Sequence, residues 1–203
     1  MKRSIEQSVA AGTGSADNER MDAAWVAIGV LAAVLVVAIW IYNQLIADRN
    51  LARAGFADID VQLKRRADLV PQLVEAVRGY AAHEKALLTS VAELRSAAVA
   101  AKPGADAARF DSERQLGAKL KQLLFLQEAY PQLKADANFR DLSAKLVDTE
   151  DHLQYARRFY NGAVKQYRNR LESFPHVVVA GAFGFQPLPF FETDDRAAVK
   201  VQL

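Results

Sequence analysis

A long amphipathic helix is predicted by the stretch from Leu45 to Leu94, where apolar residues recur at alternating steps of three and four. That spacing places them on one helix face, at the two inward positions of a heptad repeat. In order, the positions hold Phe56, Ile59, Leu63, Arg66, Val70, Leu73, Val77, Tyr80, Glu84, Leu87, Val91 and Leu94. Such a face needs partner helices, so the pattern predicts a coiled coil or a helical bundle.

Pro71 interrupts this stretch. Proline inside a helix removes one backbone hydrogen bond and costs about 3 kcal/mol. The heptad phase is the same on both sides of it, which favours a kink because a loop usually resets the phase. The helix is therefore expected to continue to about Ala101, before Lys102, Pro103 and Gly104.

A transmembrane helix is predicted from Ala23 to Ile41, which are nineteen residues without a charge. At about 1.5 Å per residue the helix spans roughly 28 Å, close to the hydrocarbon thickness of a bilayer. Trp25 and Trp40 bracket it and Tyr42 follows, positions typical of the headgroup boundary. The alternatives are a buried core helix and a signal peptide, but the run is long and starts late. We expect a retained, single-pass anchor.

Basic residues flank this span unequally. Arg20 precedes it closely, whereas Arg49 and Arg53 follow it. Because cytoplasmic flanks carry the excess of Lys and Arg, the pattern favours a cytoplasmic C-terminal domain.

Two more helices are predicted downstream. The second runs from about Asp106, a candidate N-cap, to about Ala129, before Pro131. The third begins near residue 138, repeats the 3-4 spacing and ends before Pro175. Short connections make such helices antiparallel neighbours. The predicted fold class is all-α, with the N-terminal transmembrane helix followed by a long-helix antiparallel bundle of three helices, or four if the first is divided at Pro71.

Four regions are expected along the chain: a disordered tail (1–22), the transmembrane helix (23–42), the bundle domain (43–175) and an extended aromatic tail (176–203). The aromatic tail resists both a long helix, through Gly and Pro, and free solvation, through Phe183, Phe185, Phe190 and Phe191. It should pack on the bundle or contact a partner or the membrane surface. The alternation at residues 199–201 is compatible with a short strand.

Length raises a question about the lower half of the first helix. If the third helix rises parallel to the first, Leu45, Phe56, Ile59 and Leu63 remain uncovered, at about 1.5 to 3 kcal/mol each. Three solutions are open. Pro71 bends the segment back as a fourth helix, the C-terminal tail folds down over it, or several copies form a coiled-coil stalk.

Charged residues supply the remaining site candidates. Arg66 and Glu84 occupy inward positions, and Arg157 and Arg158 are candidate ionic partners, with Glu84 most in need of one. Lys64 and Arg65 are predicted to be either a solvated helix face or a partner-docking patch. They are not expected to bind headgroups, because Lys64 lies roughly 35 Å above the bilayer while screening acts over about 8 Å.

Composition and motifs argue against several function classes. The formal charge of +2 is too small for a typical nucleic-acid binder, and the absence of cysteine excludes thiolate sites. Three histidines share no metal-ligand spacing, and neither a phosphate-binding loop nor a nucleophile elbow occurs. Acid pairs such as Glu150-Asp151 and Asp194-Asp195 are ordinary on helix faces and tails. No catalytic, cofactor or metal residues are predicted, and the chain is not expected to be an enzyme.

Several segments occur in a characteristic order: residues 59–71 (IDVQLKRRADLVP), Gly79-Tyr80, His83-Glu84, Ala129-Tyr130-Pro131, Asn138-Phe139, Thr149-Glu150, residues 156–161 (ARRFYN), Phe174-Pro175 and Phe183-Gly184-Phe185. From about Tyr42 onward they resemble the signature of the bacterial LemA family. The resemblance implies a bacterial membrane-anchored bundle, usually of four helices, with some relatives taking part in building magnetosome membranes. Two departures are Arg168, where the family often has Asn, and a long segment before the span.

These features predict a non-enzymatic, membrane-anchored scaffold or assembly protein in the inner (cytoplasmic) membrane. Its candidate partners are the lipid bilayer, other envelope proteins and a second copy of the chain. The alternative is a ligand-sensing or enzymatic accessory domain whose pocket forms between bundle helices. A cavity lined by Glu84, Arg157 and Tyr160 would favour this alternative.

Overall fold

The structure is a computed structural model that describes residues 2–101 and 107–191, with side chains at residue 21 and over 24–101 and 108–191. Within these ranges it is all-helical and contains no strand. Its helices are α1 (Lys2–Arg78), α2 (Lys85–Ala100), α3 (Ala107–Ala129), α4 (Pro131–Ala135), α5 (Ala137–Glu172) and α6 (His176–Ala182). The predicted Asp106 cap and the predicted strand at residues 199–201 lie outside the described residues.

The first helix, α1, contains 77 residues and runs through Pro71 without ending. It is the one described helix that is long and apolar enough to cross a membrane. Its large apolar side chains from Trp25 to Trp40 are 50–71% exposed, so no part of the described chain covers them. The backbone is also helical over residues 2–22, in place of the predicted disordered tail. A helix propagates at little cost once it is nucleated.

The prediction of one helix continuing to Ala101 was wrong. The first helix ends at Arg78, and α2 begins at Lys85 after a turn. Gly79 opens this turn, and glycine is a poor helix former. The Tyr80 hydroxyl donates a 2.9 Å hydrogen bond to Asp136 across the same end of the bundle. The helix therefore divides at residues 79–84 and not at Pro71, and the unbroken heptad phase conceals the turn.

Contacts between helices show that the bundle is antiparallel. The second helix, α2, returns along α1, since Arg95 Nε donates to the carbonyl of Ala67 at 2.8 Å. The third, α3, runs parallel to α1, because Arg109 near its start contacts Asp60 at 2.6 Å and Tyr130, the residue after its end, contacts Glu84. Four helical segments, namely α1, α2, α3 and α5, therefore run alternately up and down.

The last long helix, α5, runs back towards the apolar segment of α1, so the prediction of a rising third helix was also wrong. Its N-cap Asp136 meets Tyr80, whereas Arg170 near its end lies 2.9 Å from Asp48. At 36 residues it measures about 54 Å, enough to pass beyond α2 and cover lower α1. Leu45, Phe56, Ile59 and Leu63 are consequently 0–8% exposed.

The C-terminal tail helps to cover lower α1 and is partly helical. Residues 176–182 form α6, which corrects the prediction of an extended tail from residue 176. Residues 185–191 then turn back along α5. There the Tyr167 hydroxyl donates to the carbonyl of Gln186 at 3.1 Å, and the Tyr160 hydroxyl donates to that of Pro189 at 2.7 Å. The uncovered stripe that suggested a coiled-coil stalk is therefore covered within the chain.

Candidate functional site

A buried ionic cluster joins α1, α3 and α5 around Arg66. Arg66 is 0% exposed although it occupies a position of the apolar seam. Its Nη1 donates to Glu150 Oε1 at 2.9 Å, and its Nη2 donates both to the carbonyl of Glu113 at 3.0 Å and to the Glu113 carboxylate. Gly117 makes room, because a Cβ there would lie 3.2 Å from Nη1. The cluster thus ties three helices together through charge-assisted hydrogen bonds.

Arg157 lies beside this cluster and is bonded differently. It is 8% exposed, and its guanidinium lies 4.3 Å from the centre of the Phe191 ring. Its Nε is buried without a hydrogen-bond partner in the described chain. Burial, followed by the nearby charge of Arg66, lowers the Arg157 pKa to about 10, while Glu150 and Glu113 act in the opposite direction. The side chain therefore remains a cation at neutral pH.

A groove of about 530 Å³ opens beside these residues between α3 and α5. Arg66, Glu113, Glu150, Arg157 and Phe191 are among the residues that line it. The described residues contain no cluster of three or more His, Cys, Asp or Glu side chains that could hold a metal ion. The groove can form hydrogen bonds and ion pairs, and Arg157 Nε is a donor that could bind an anionic group.

Glu84 was predicted to pair with Arg157 or Arg158, but the structure does not bring them together. Glu84 lies in the turn before α2 and accepts a 3.3 Å hydrogen bond from the Tyr130 hydroxyl. Burial and the Glu84 charge raise the Tyr130 pKa. Arg158 is exposed and lies 4.5 Å from the centre of the Tyr155 ring. The turn at residues 79–84 removes Glu84 from the α1 seam, which is why the pairing inferred from the heptad phase fails.

The observed groove is not the predicted cavity lined by Glu84, Arg157 and Tyr160, because of these three residues only Arg157 lines it. Tyr160 packs in a separate apolar cluster with Phe56 and Phe110. Sequence reasoning missed Glu113 as the partner of Arg66. A signal was present, because Glu113 lies three residues after Phe110 and three before Leu116, on the buried face of α3.

Polar contacts hold the part of α1 that directly follows the apolar segment. Asp48 is 4% exposed, forms an ion pair with Arg170 at 2.9 Å and accepts a hydrogen bond from Gln166 at 2.8 Å. Gln44 lies 3.1 Å from the ring of His176. These contacts connect the first turns of α1 after the apolar segment to both α5 and α6.

Comparison with known proteins identifies the family. The LemA family model matches residues 55–203, from lower α1 to the end of the chain. This chain belongs to the LemA family. The LemA-family chain is also 22% identical to the magnetosome protein MamQ of Magnetospirillum gryphiswaldense over 191 residues, covering 81% of this chain and 70% of MamQ. The magnetosome proteins MamQ 1 and MamQ 2 of Paramagnetospirillum magneticum match with the same identity and coverage. The resemblance read from the sequence is confirmed.

The predicted partner-binding residues of this LemA-family chain divide into exposed and packed sets. Lys64 and Arg65 are exposed on α1, and Phe183 is 64% exposed. Three further phenylalanines are packed: Phe185 against Tyr42, Phe190 beneath Arg168, and Phe191, 1% exposed, against Phe110.

The predicted interface aromatics divide in the same way. Trp25 and Trp40 are 71% and 58% exposed, whereas Tyr42 packs 4.9 Å from the ring of Phe183. Among the predicted partner-binding phenylalanines, Phe191 is buried in the core, because the tail turns back onto α5 after α6.

Proposed function

We propose that this LemA-family chain is a non-enzymatic, membrane-anchored scaffold or assembly protein of the bacterial envelope. In this proposal residues 23–41 cross the inner membrane once, and the bundle lies on the cytoplasmic side. The observation that carries the proposal is α1 itself, a single helix in which an exposed apolar segment continues directly into the bundle. The likeness to three magnetosome proteins supports a role in building envelope structures.

A continuous helix has a mechanical consequence that suits a scaffold. Flexible linkers leave a tethered domain free to reorient, whereas a helix transmits the orientation of the span to the domain. Here α5 reinforces the rod by covering lower α1, and the Asp48 contacts fix the two helices at the membrane end. The far end of the bundle is thereby held at a defined height, where it offers a fixed platform to other proteins.

Charged variants test the anchor. Leu31 and Val34 lie in the middle of the apolar segment, and each arginine placed there costs about 2.5–3.5 kcal/mol of insertion free energy. The double variant Leu31→Arg/Val34→Arg should be released from membranes by alkaline carbonate. The matched control, Val99→Arg/Val147→Arg, changes two exposed valines of the bundle and should stay in the pellet. Equal extraction of both variants would contradict the anchor.

Site-specific photocrosslinking tests the scaffold role. Lys64 and Arg65 project from the exposed side of α1, where a docked protein would contact them. A photoreactive residue at either position should capture the same envelope protein in native membranes. Lys145, an exposed lysine on α5, serves as the matched control and should not capture it. The same adducts at all three positions would argue against a docking surface on α1.

A second candidate function is ligand sensing, and the state of Arg157 favours it. A buried arginine whose Nε has no hydrogen-bond partner in the described chain, beside a 530 Å³ groove, suits a small carboxylate or phosphate group. Binding should raise the unfolding midpoint as the anion concentration rises. Thermal melts with acetate, succinate or phosphate should show this for the wild type and for Arg158→Met, but not for Arg157→Met. Identical responses in all three proteins would remove this candidate.

A further inference from the structure

Residues 174–191 contain no Asp, Glu, Lys or Arg, although they form the turn at the membrane end of the bundle. Within α6, Val179 and Ala180 face the bundle. The opposite side is also apolar and exposed. We call it the α6 patch, and it consists of Phe174 (83% exposed), Val177 (45%), Val178 (62%) and Phe183 (64%). A helix on the surface of a soluble protein usually carries polar residues on its outer side, so a patch of this kind marks a contact with something apolar.

The height of the α6 patch follows from its contacts with α1. Ala180 shares one buried cluster with Ile41 and Leu45. The Phe183 ring lies 4.9 Å from that of Tyr42, which is the residue immediately after the uncharged run. Because α1 is continuous, α6 lies level with the point where the apolar segment ends. The patch is therefore at about the same height along α1 as Trp40, which is 58% exposed.

We propose that the α6 patch lies in the headgroup–acyl boundary of the bilayer that residues 23–41 cross. This inference rests on the proposed anchoring, since the span sets the membrane plane. Lipid is the occupant because the patch continues the surface of the span and meets the boundary where aromatic side chains prefer to lie. A second protein copy is less suitable, because four side chains bury far less than the roughly 1,200 Å² of a stable protein interface.

A second membrane contact changes what the anchor can do. A single helix can rotate about its axis and tilt in the bilayer, and both motions would be transmitted along α1 to the bundle. The α6 patch contacts the membrane on one side of α1 only, so it opposes rotation and tilting together. The bundle then has one preferred face towards the bilayer, and Lys64 and Arg65 keep a fixed direction.

Spin labelling of the full chain tests the patch, since the sequence has no cysteine to interfere. Single cysteines replace Val178 in the patch, Val36 in the apolar segment and Val147 on α5, three valines that are 62%, 66% and 51% exposed. Each labelled protein is reconstituted into vesicles of phosphatidylethanolamine and phosphatidylglycerol. Collision rates with oxygen, which enters lipid, and with a water-soluble nickel chelate report the surroundings of each label.

The expected result is an oxygen-to-nickel ratio at residues 36 and 178 that is several times the ratio at residue 147. A lipid-like ratio at residue 36 with a water-like ratio at residue 178 would overturn the α6 contact and leave the anchor standing. A water-like ratio at residue 36 would overturn the anchor itself. Strong spin–spin broadening at residue 178 that disappears on dilution with unlabelled protein would identify a second copy as the occupant, which also overturns the proposal.

Discussion

Replacing Arg66 by methionine tests whether the buried ionic cluster stabilises the bundle. The substitution keeps a long side chain but leaves Glu113 without its cation. The Glu113 side chain is only 4% exposed, so its charge cannot be solvated without opening the bundle. Breaking a buried ion pair by removing one partner costs about 3–5 kcal/mol. In a chain of this size, each kcal/mol of lost stability lowers the unfolding midpoint by about 2–4 °C. The substitution should therefore lower the midpoint by roughly 6–20 °C.

Thermal melts of the full chain in detergent, followed by helical circular dichroism, measure this effect. Arg65→Met is the matched control, because Arg65 is the exposed neighbour of Arg66, and its midpoint should change by less than about 2 °C. The double variant Arg66→Met/Glu113→Met removes the stranded charge and should recover much of the loss, since apolar replacements of buried ion pairs are often neutral.

Two results would refute this reasoning. Equal midpoints for Arg66→Met and Arg65→Met would mean that the cluster is solvated in solution. A double variant no more stable than Arg66→Met would mean that the loss comes from packing and not from an unpaired carboxylate.

Three further predictions concern Tyr160, the contact between α1 and α5 at Gly55, and the C-terminal tail. Burial raises the Tyr160 pKa to about 12, so this tyrosine stabilises the fold fully below pH 10 and progressively less as pH rises through 12. Tyr160→Phe should flatten that decline in alkaline melts. A Cβ at Gly55 would lie 2.8 Å from the ring of Phe159, so Gly55→Leu should lower the unfolding midpoint. At Gly162 a Cβ would have nothing within 4 Å, so Gly162→Ala should raise the free energy of unfolding by up to about 1 kcal/mol. Phe191→Ala should cost about 3–5 kcal/mol and Phe183→Ala far less, as chemical denaturation will measure.

Local sequence patterns determined the helices themselves. A 3-4 spacing needs only neighbouring turns, so it identified the all-helical class and α5, and an uncharged run identified the long apolar segment. Pro131 placed the end of α3 at Ala129, because proline disfavours a helical residue before it. The inward position of Arg66 was also local information, and its burial follows directly.

Only the tertiary structure decided the turn at residues 79–84 and the direction of α5. The heptad phase is the same across that turn, so periodicity alone could not distinguish a reversal from a continuous helix. Once α2 folds back at Lys85, the up-down order makes α5 run towards the apolar segment of α1, where it covers Leu45 and Ile59. The same reversal separates Glu84 from the arginines and brings Glu113 to Arg66. Helix formation depends on residues three or four apart, whereas the choice of partner depends on residues brought together by chain reversals, which no local pattern encodes.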